Sequence, residues 1–166
     1  MDMNVVHDLL NKYWDRRLPV EPVHFAHALG YEVVSISPFD TNPENQGISG
    51  YASMVNGNPV VAYHSTEHPN RQRFTIAHEI GHHLLGHVRA NAGRCLRDHP
   101  SSYTANNNTY IEAEANEFAA QLLMPEEAVR ILIERRGVTS ITELARAFNV
   151  SEAAMYYRLK NLGLAR

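Results

Sequence analysis

Hydrophobic positions recur with helical spacing through Val5, Val6, Leu9, Leu10, Tyr13 and Trp14, which predicts an amphipathic helix near the start of the chain. Leu18-Pro19 closes it, and a second short helix is predicted from Pro22 to Leu29, ended by Gly30. From Tyr31 to Ser37 the pattern changes to β-branched alternation, the signature of a strand. The stretch PFDTNPENQG that follows is rich in turn formers. Ile48 to Val55 and Pro59 to Tyr63 flank Asn56-Gly57-Asn58, residues that tolerate positive φ, so these runs predict a hairpin and with it a small antiparallel sheet.

Between Arg71 and Val88, the residues Phe74, Ala77, Gly81, Leu84, Leu85 and Val88 share one face at helical spacing and predict a core helix over that span. Arg89 to Thr109 is polar and ends in Asn106-Asn107-Asn108, a loop of a length that is usually functional or mobile. A second core helix runs from Tyr110 to Leu123 and stops at Met124-Pro125, because proline has no N–H for the hydrogen-bond ladder. Another begins near Glu126. From Thr139 to Leu164 two short helices surround Asn149-Val150-Ser151; Ser140 with Glu143 makes a capping box and Ser151 caps the second helix. The fold class is therefore α+β: a small antiparallel sheet packed on a helical core over residues 1–137, with a helix-turn-helix-like helical appendage over 138–166.

Composition narrows the classes of partner. A chain of 166 residues with 44% hydrophobic content fills one compact core with room for a small appendage. The formal charge of −3 gives no global positive field to draw it to nucleic acid. The C-terminal helices are only weakly basic: from Glu143 onward, Arg146, Arg158, Lys160 and Arg166 stand against Glu143 and Glu152. Duplex affinity rests on phosphate contacts, so direct DNA binding is less favoured than packing or substrate docking. Cys95 is the single cysteine, which excludes an intramolecular disulfide, suits a reducing compartment, and reads as a free thiol in a loop. The opening MDMNVVHDLLNKYW lacks a signal-peptide pattern, and no apolar run is long enough to span a membrane. The expectation is a cytoplasmic protein with no membrane partner.

The candidate chemistry lies on the first core helix. His78-Glu79-Ile80-Gly81-His82 sets two imidazoles at i and i+4, on one face and near enough to hold one cation. Zinc suits neutral imidazole nitrogen. Glu79 falls on the adjacent face, where its carboxylate serves as a general base toward water. The plainer reading, ordinary histidines on an amphipathic helix, loses ground if a third ligand exists. The HExxHxxGxxH route to one is closed, since Leu85 and Val88 occupy the required positions. His83 and His87, at i+5 and i+9 from His78, point off the face of the pair. The second core helix offers Glu112 as third ligand, with Glu114 as its competitor, and Asn116 one turn on to accept a hydrogen bond from a ligating histidine and fix its tautomer. Glu114 and Glu117 otherwise read as solvated charges. His64, His87, Tyr103 and Tyr110 are all candidates to stabilise an oxyanion, and spacing does not choose among them.

The strings RQRFTIAHEIGHHLLGH and IEAEANEFAAQLLMP, with ISGYAS and VVAYHS upstream, resemble the ImmA/IrrE metallopeptidases over roughly residues 20 to 135. The resemblance implies a small zincin-like, gluzincin-type peptidase with one Zn2+ (Mn2+ a possible substitute) on His78, His82 and Glu112, and Glu79 catalytic. It further implies site-specific cleavage of a helix-turn-helix transcriptional repressor, releasing stress-response or mobile-element genes. Asn116 departs from the aspartate common in the wider class. The rival expectation is a zinc-containing DNA- or protein-binding regulator without peptidase turnover; the carboxylate beside the first ligand favours the enzyme, because a structural site does not need it.

Overall fold

In the computed structural model, which describes residues 4–91, 96–99 and 110–165, two helices, α1 (Asn4–Tyr13) and α2 (Pro22–Ala28), lead into strand β1 (Glu32–Ile36). The hairpin follows as β2 (Gly50–Val55) and β3 (Asn58–His64), and Asn56 and Gly57 both take positive φ at its tip. The sheet is mixed rather than antiparallel, in the order β1-β3-β2-β4, with β4 (Leu96–Asp98) antiparallel to β2 and β1 parallel to β3. Alternation along β1 reports which face is buried and not which way the strand runs. The central place of β3 is written in its continuous apolar run, Val60, Val61 and Ala62, all buried.

Helix α3 (Pro69–Leu84) starts at Pro69, a residue suited to the first helical position, with the His68 ring accepting from the Asn70 N–H. It was expected to bury one face. Instead every residue from Thr75 to His82 is buried, because β2 and β3 pack on it from one side and α5 (Tyr110–Leu123) and α2 from others. Nor does the helix reach Val88. Gly86 adopts φ +79°, a left-handed conformation that costs glycine little, and a separate short helix α4 (His87–Ala90) starts there. The polar stretch from Arg89 is thus not all loop, since its beginning closes α4 and Leu96–Asp98 form an edge strand. Cys95, Tyr103 and Asn106 to Asn108 lie outside the described residues.

After α5 come α6 (Glu126–Arg130), a π-helical turn (Ile131–Arg135), α7 (Ile141–Phe148) and α8 (Glu152–Asn161). Leu144, Phe148, Met155 and Leu159 join the buried cluster that contains Ile80, Phe118 and Leu122. Each such side chain contributes roughly 1.5–3 kcal/mol on burial, so the last two helices are held firmly on the core. Arg158 is buried as well, donating from Nε to the Met124 carbonyl at 3.0 Å with Glu117 at 3.7 Å. One of the basic residues counted above for the C-terminal helices is therefore spent on internal packing. Among the described residues no helix is long and apolar enough to cross a membrane.

Candidate metal centre

Packing α3 against α5 brings His78, His82 and Glu112 together, and β4 adds Asp98; one donor atom from each of the four lies within 4.8 Å of the others. His78 Nε2 and His82 Nε2 are 3.0 Å apart. Asp98 Oδ2 is 3.1 Å from the first and 3.3 Å from the second, and Glu112 approaches the same nitrogens at 3.3 Å and 3.6 Å. The centre is dry: His78, Glu79 and His82 are 0% exposed.

The outer nitrogens decide what the inner ones offer. His78 Nδ1 faces Asn116 Oδ1 at 3.0 Å; an amide oxygen only accepts, so Nδ1 carries the proton and Nε2 presents a lone pair. On the other ring, Glu114 Oε2 lies 3.2 Å from His87 Nε2, and His87 Nδ1 lies 2.9 Å from His82 Nδ1. A carboxylate accepts from His87 Nε2, leaving His87 Nδ1 to accept from His82 Nδ1 and His82 Nε2 to point its lone pair inward. Two lone pairs and two carboxylate oxygens thus converge on one point. Glu112 Oε2 is buried without a hydrogen-bond partner among the described residues, close to His78 Nε2 but misaligned with it. Such a donor set fits a divalent cation of the zinc type.

With no cation, a proton fills the same role. Burial by itself depresses the His82 imidazole, but the contacts and charges of Asp98 and Glu112 outweigh it and lift the pKa from 6.5 to about 9. The two carboxylates respond in the opposite sense: burial raises both, and the facing imidazoles of His78 and His82 pull Asp98 far below, and Glu112 below, the ordinary carboxylate range.

Glu79 is fully buried against β2; a Cβ built on Gly50 would stand 3.1 Å from Glu79 Oε1 and would collide with the Ala62 carbonyl oxygen and the Thr75 methyl group. Gly50 is thus the residue that lets β2 close on the carboxylate. Glu114 is not a solvated charge but the anchor of His87, and Glu117 holds Gln121 Nε2 at 2.8 Å and Asn161 Nδ2 at 3.2 Å. Of the oxyanion candidates, His64 ends β3 with Nδ1 2.9 Å from Thr66 Oγ1, Tyr110 is largely exposed, and His87 stands behind His82. Asp98 escaped the sequence reading because it stands alone in a polar stretch with no spacing relation to the histidines. The role of His87 had a signal, Gly86 in HLLGHV, which the continuing apolar periodicity concealed.

A cleft of about 710 Å³ lies between α3, α5 and α8, lined by Phe74, Ala113, Asn116, Val150, Tyr157 and Arg158 among others. Asn116, one of its walls, is bonded to His78 and so joins the cleft to the cluster.

Comparison with known proteins agrees with this picture. Residues 31–160 match the model of a peptidase family described as the IrrE N-terminal-like domain. The radiation response metalloprotease IrrE of Deinococcus radiodurans is 37% identical over 103 residues, which cover 60% of this chain and 30% of that protein. The protein of the same name from Deinococcus deserti is 39% identical over 103 residues, covering 60% of this chain and 35% of its own length. The match thus spans about a third of each curated relative. Among solved structures, a Mycobacterium tuberculosis transcriptional regulator superposes with a TM-score of 0.59 at 16% identity, over 95% of this chain and 46% of its own, which is a likeness of fold.

Proposed function

This chain belongs to the family of the IrrE N-terminal-like peptidase domain, and from that membership we propose that it is a zinc-dependent, site-specific endopeptidase. The observation that carries the reading is the convergence of His78, His82 and Glu112 donors on one dry point, with the buried Glu79 carboxylate adjacent in sequence to the first of them. The two Nε2 atoms and the Glu112 carboxylate would hold the ion, and Asn116 keeps His78 in the binding tautomer. A zinc ion held there would supply Lewis acidity toward the scissile carbonyl and would lower the pKa of water toward about 7. Glu79 takes a proton from the attacking water and returns it to the leaving amine, serving as base and then as acid. Burial of Glu79 and the histidines away from bulk solvent strengthens each of these interactions.

The substrate we propose is a helix-turn-helix transcriptional repressor in the cytoplasm, cleaved to release stress-response or mobile-element genes. That the Deinococcus relatives are radiation response metalloproteases supports proteolysis in answer to stress. Incubating the full chain, loaded with zinc or manganese, with the helix-turn-helix repressor encoded nearest to it tests this. Discrete metal-dependent fragments are the expected result, and an intact repressor under all conditions would remove that substrate.

A second reading has one observation behind it. A structural zinc is closed by four protein ligands, and four donors are what this cluster holds. A binding regulator without turnover would show metal at full stoichiometry and no cleavage of any peptide.

A further inference from the structure

Asp98 has no task in the scheme above, yet it lies nearer to both ligating nitrogens than Glu112 does. It is 3% exposed and placed by backbone pairing: β4 pairs Gly50 with Asp98, Tyr51 with Arg97 and Ala52 with Leu96, and the Ser49 N–H donates to the Asp98 carbonyl at 2.7 Å. The strand partner of Asp98 is Gly50, the residue packed on Glu79. Backbone pairing therefore sets Asp98 opposite Gly50, which packs on Glu79, and its side chain lies beside the metal donors.

Three facts about this arrangement point the same way. A catalytic zinc keeps three protein ligands and one open position, whereas here a fourth donor is supplied from within the chain. An extended peptide is bound by adding it to a free sheet edge, whereas the outer edge of β2 beside Glu79 is already taken by β4. Charge also closes: two neutral imidazoles, two carboxylates and a divalent cation sum to zero, which suits a buried site, while removal of one carboxylate leaves a positive centre able to stabilise a developing oxyanion.

We propose that Asp98 is a fourth metal ligand carried by β4, filling the position a substrate needs, so that the chain in this conformation is closed and the parent turns over only in the fraction of molecules in which β4 has left β2. The closure rests on the peptidase reading; the ligand assignment does not. The test uses the full-length chain loaded with Co2+, whose visible absorption reports its ligands, in the parent, Asp98→Ala and Asp98→Asn forms, with sodium azide as the probe of an open position. Expected are an altered cobalt spectrum in both variants, azide uptake by the variants and not by the parent, and zinc affinity lowered by about tenfold or more in chelator competition. Asp98→Asn keeps the shape of the side chain, and circular dichroism on each form verifies that it is folded. An unchanged spectrum and unchanged zinc affinity in both folded variants would overturn the ligand assignment, as would azide binding by the parent. On the same samples peptide hydrolysis should rise in Asp98→Ala above the parent, and a fall with metal retained would overturn the closure. Variants that take up azide but hydrolyse nothing would count against the peptidase reading and leave Asp98 as a ligand.

Discussion

His87 Nδ1 stands 2.9 Å from His82 Nδ1, a contact between residues five apart that an uninterrupted helix does not make. It exists because Gly86 takes a left-handed φ and turns the start of α4 back over the end of α3. His82 thereby gains an outer partner of its own, as His78 has in Asn116, and Glu114 orients that partner in turn.

Removing this support should loosen the metal. His87→Ala is expected to weaken zinc binding by about 10- to 100-fold, the usual effect of losing the partner behind a ligating histidine. Glu114→Gln should weaken it less, because the ring stays in place. Competition against a calibrated chelator measures both, and wild-type affinity in His87→Ala would show that His82 needs no such partner.

Asn116 offers the converse change. A carboxylate polarises imidazole more strongly than an amide, so Asn116→Asp should tighten zinc binding while Asn116→Leu weakens it. The same competition assay ranks the three, and an order with Leu tightest contradicts the hydrogen bond from His78 Nδ1.

Gly50→Ala should destabilise the fold by about 1–3 kcal/mol or more, since the added methyl meets the Ala62 carbonyl and the Thr75 side chain with nowhere to relax. Urea unfolding at fixed pH reads the loss. A variant as stable as the parent would mean that β2 does not press on α3 at this point.

The chelated protein should lose stability in alkali. The folded-state pKa of His82 is raised, so its contribution is fully present below the ordinary value of 6.5 and disappears as pH climbs through about 9. At a shift of this size the loss is on the order of 3 kcal/mol. Asp98 and Glu112 are lowered instead, so their contribution holds above the ordinary carboxylate range and is lost on acidification. Thermal melting with and without saturating zinc checks the sign: the alkaline decline belongs to the chelated form, because the ion displaces the proton from His82.

Much of this architecture was legible in the residues because local rules govern it. The i and i+4 spacing of His78 and His82, and that of Glu112 and Asn116, needed only the two helices to pack face to face for their side chains to meet. The hairpin was legible in Asn56-Gly57, and the limits of α7 and α8 in the capping side chains of Ser140 and Ser151. What escaped depends on chain reversal and on distant pairing. Alternation along β1 carries no strand direction, so the parallel pairing with β3 was not visible. Leu84, Leu85 and Val88 continue the helical period straight through Gly86 and hid the break. Asp98 enters the site through a three-residue strand whose partner lies almost fifty positions earlier in the chain, a relationship with no local signature.

The central claim is that Glu79 is the base of a metal-dependent peptidase, and the most direct test is zinc content and peptide-bond hydrolysis measured on the same preparations of parent, Glu79→Gln and His82→Ala. The account predicts one zinc per chain in the parent and in Glu79→Gln, hydrolysis in the parent alone with a loss of at least about 100-fold in Glu79→Gln, and no retained zinc in His82→Ala. Hydrolysis by zinc-loaded Glu79→Gln at the rate of the parent would contradict it.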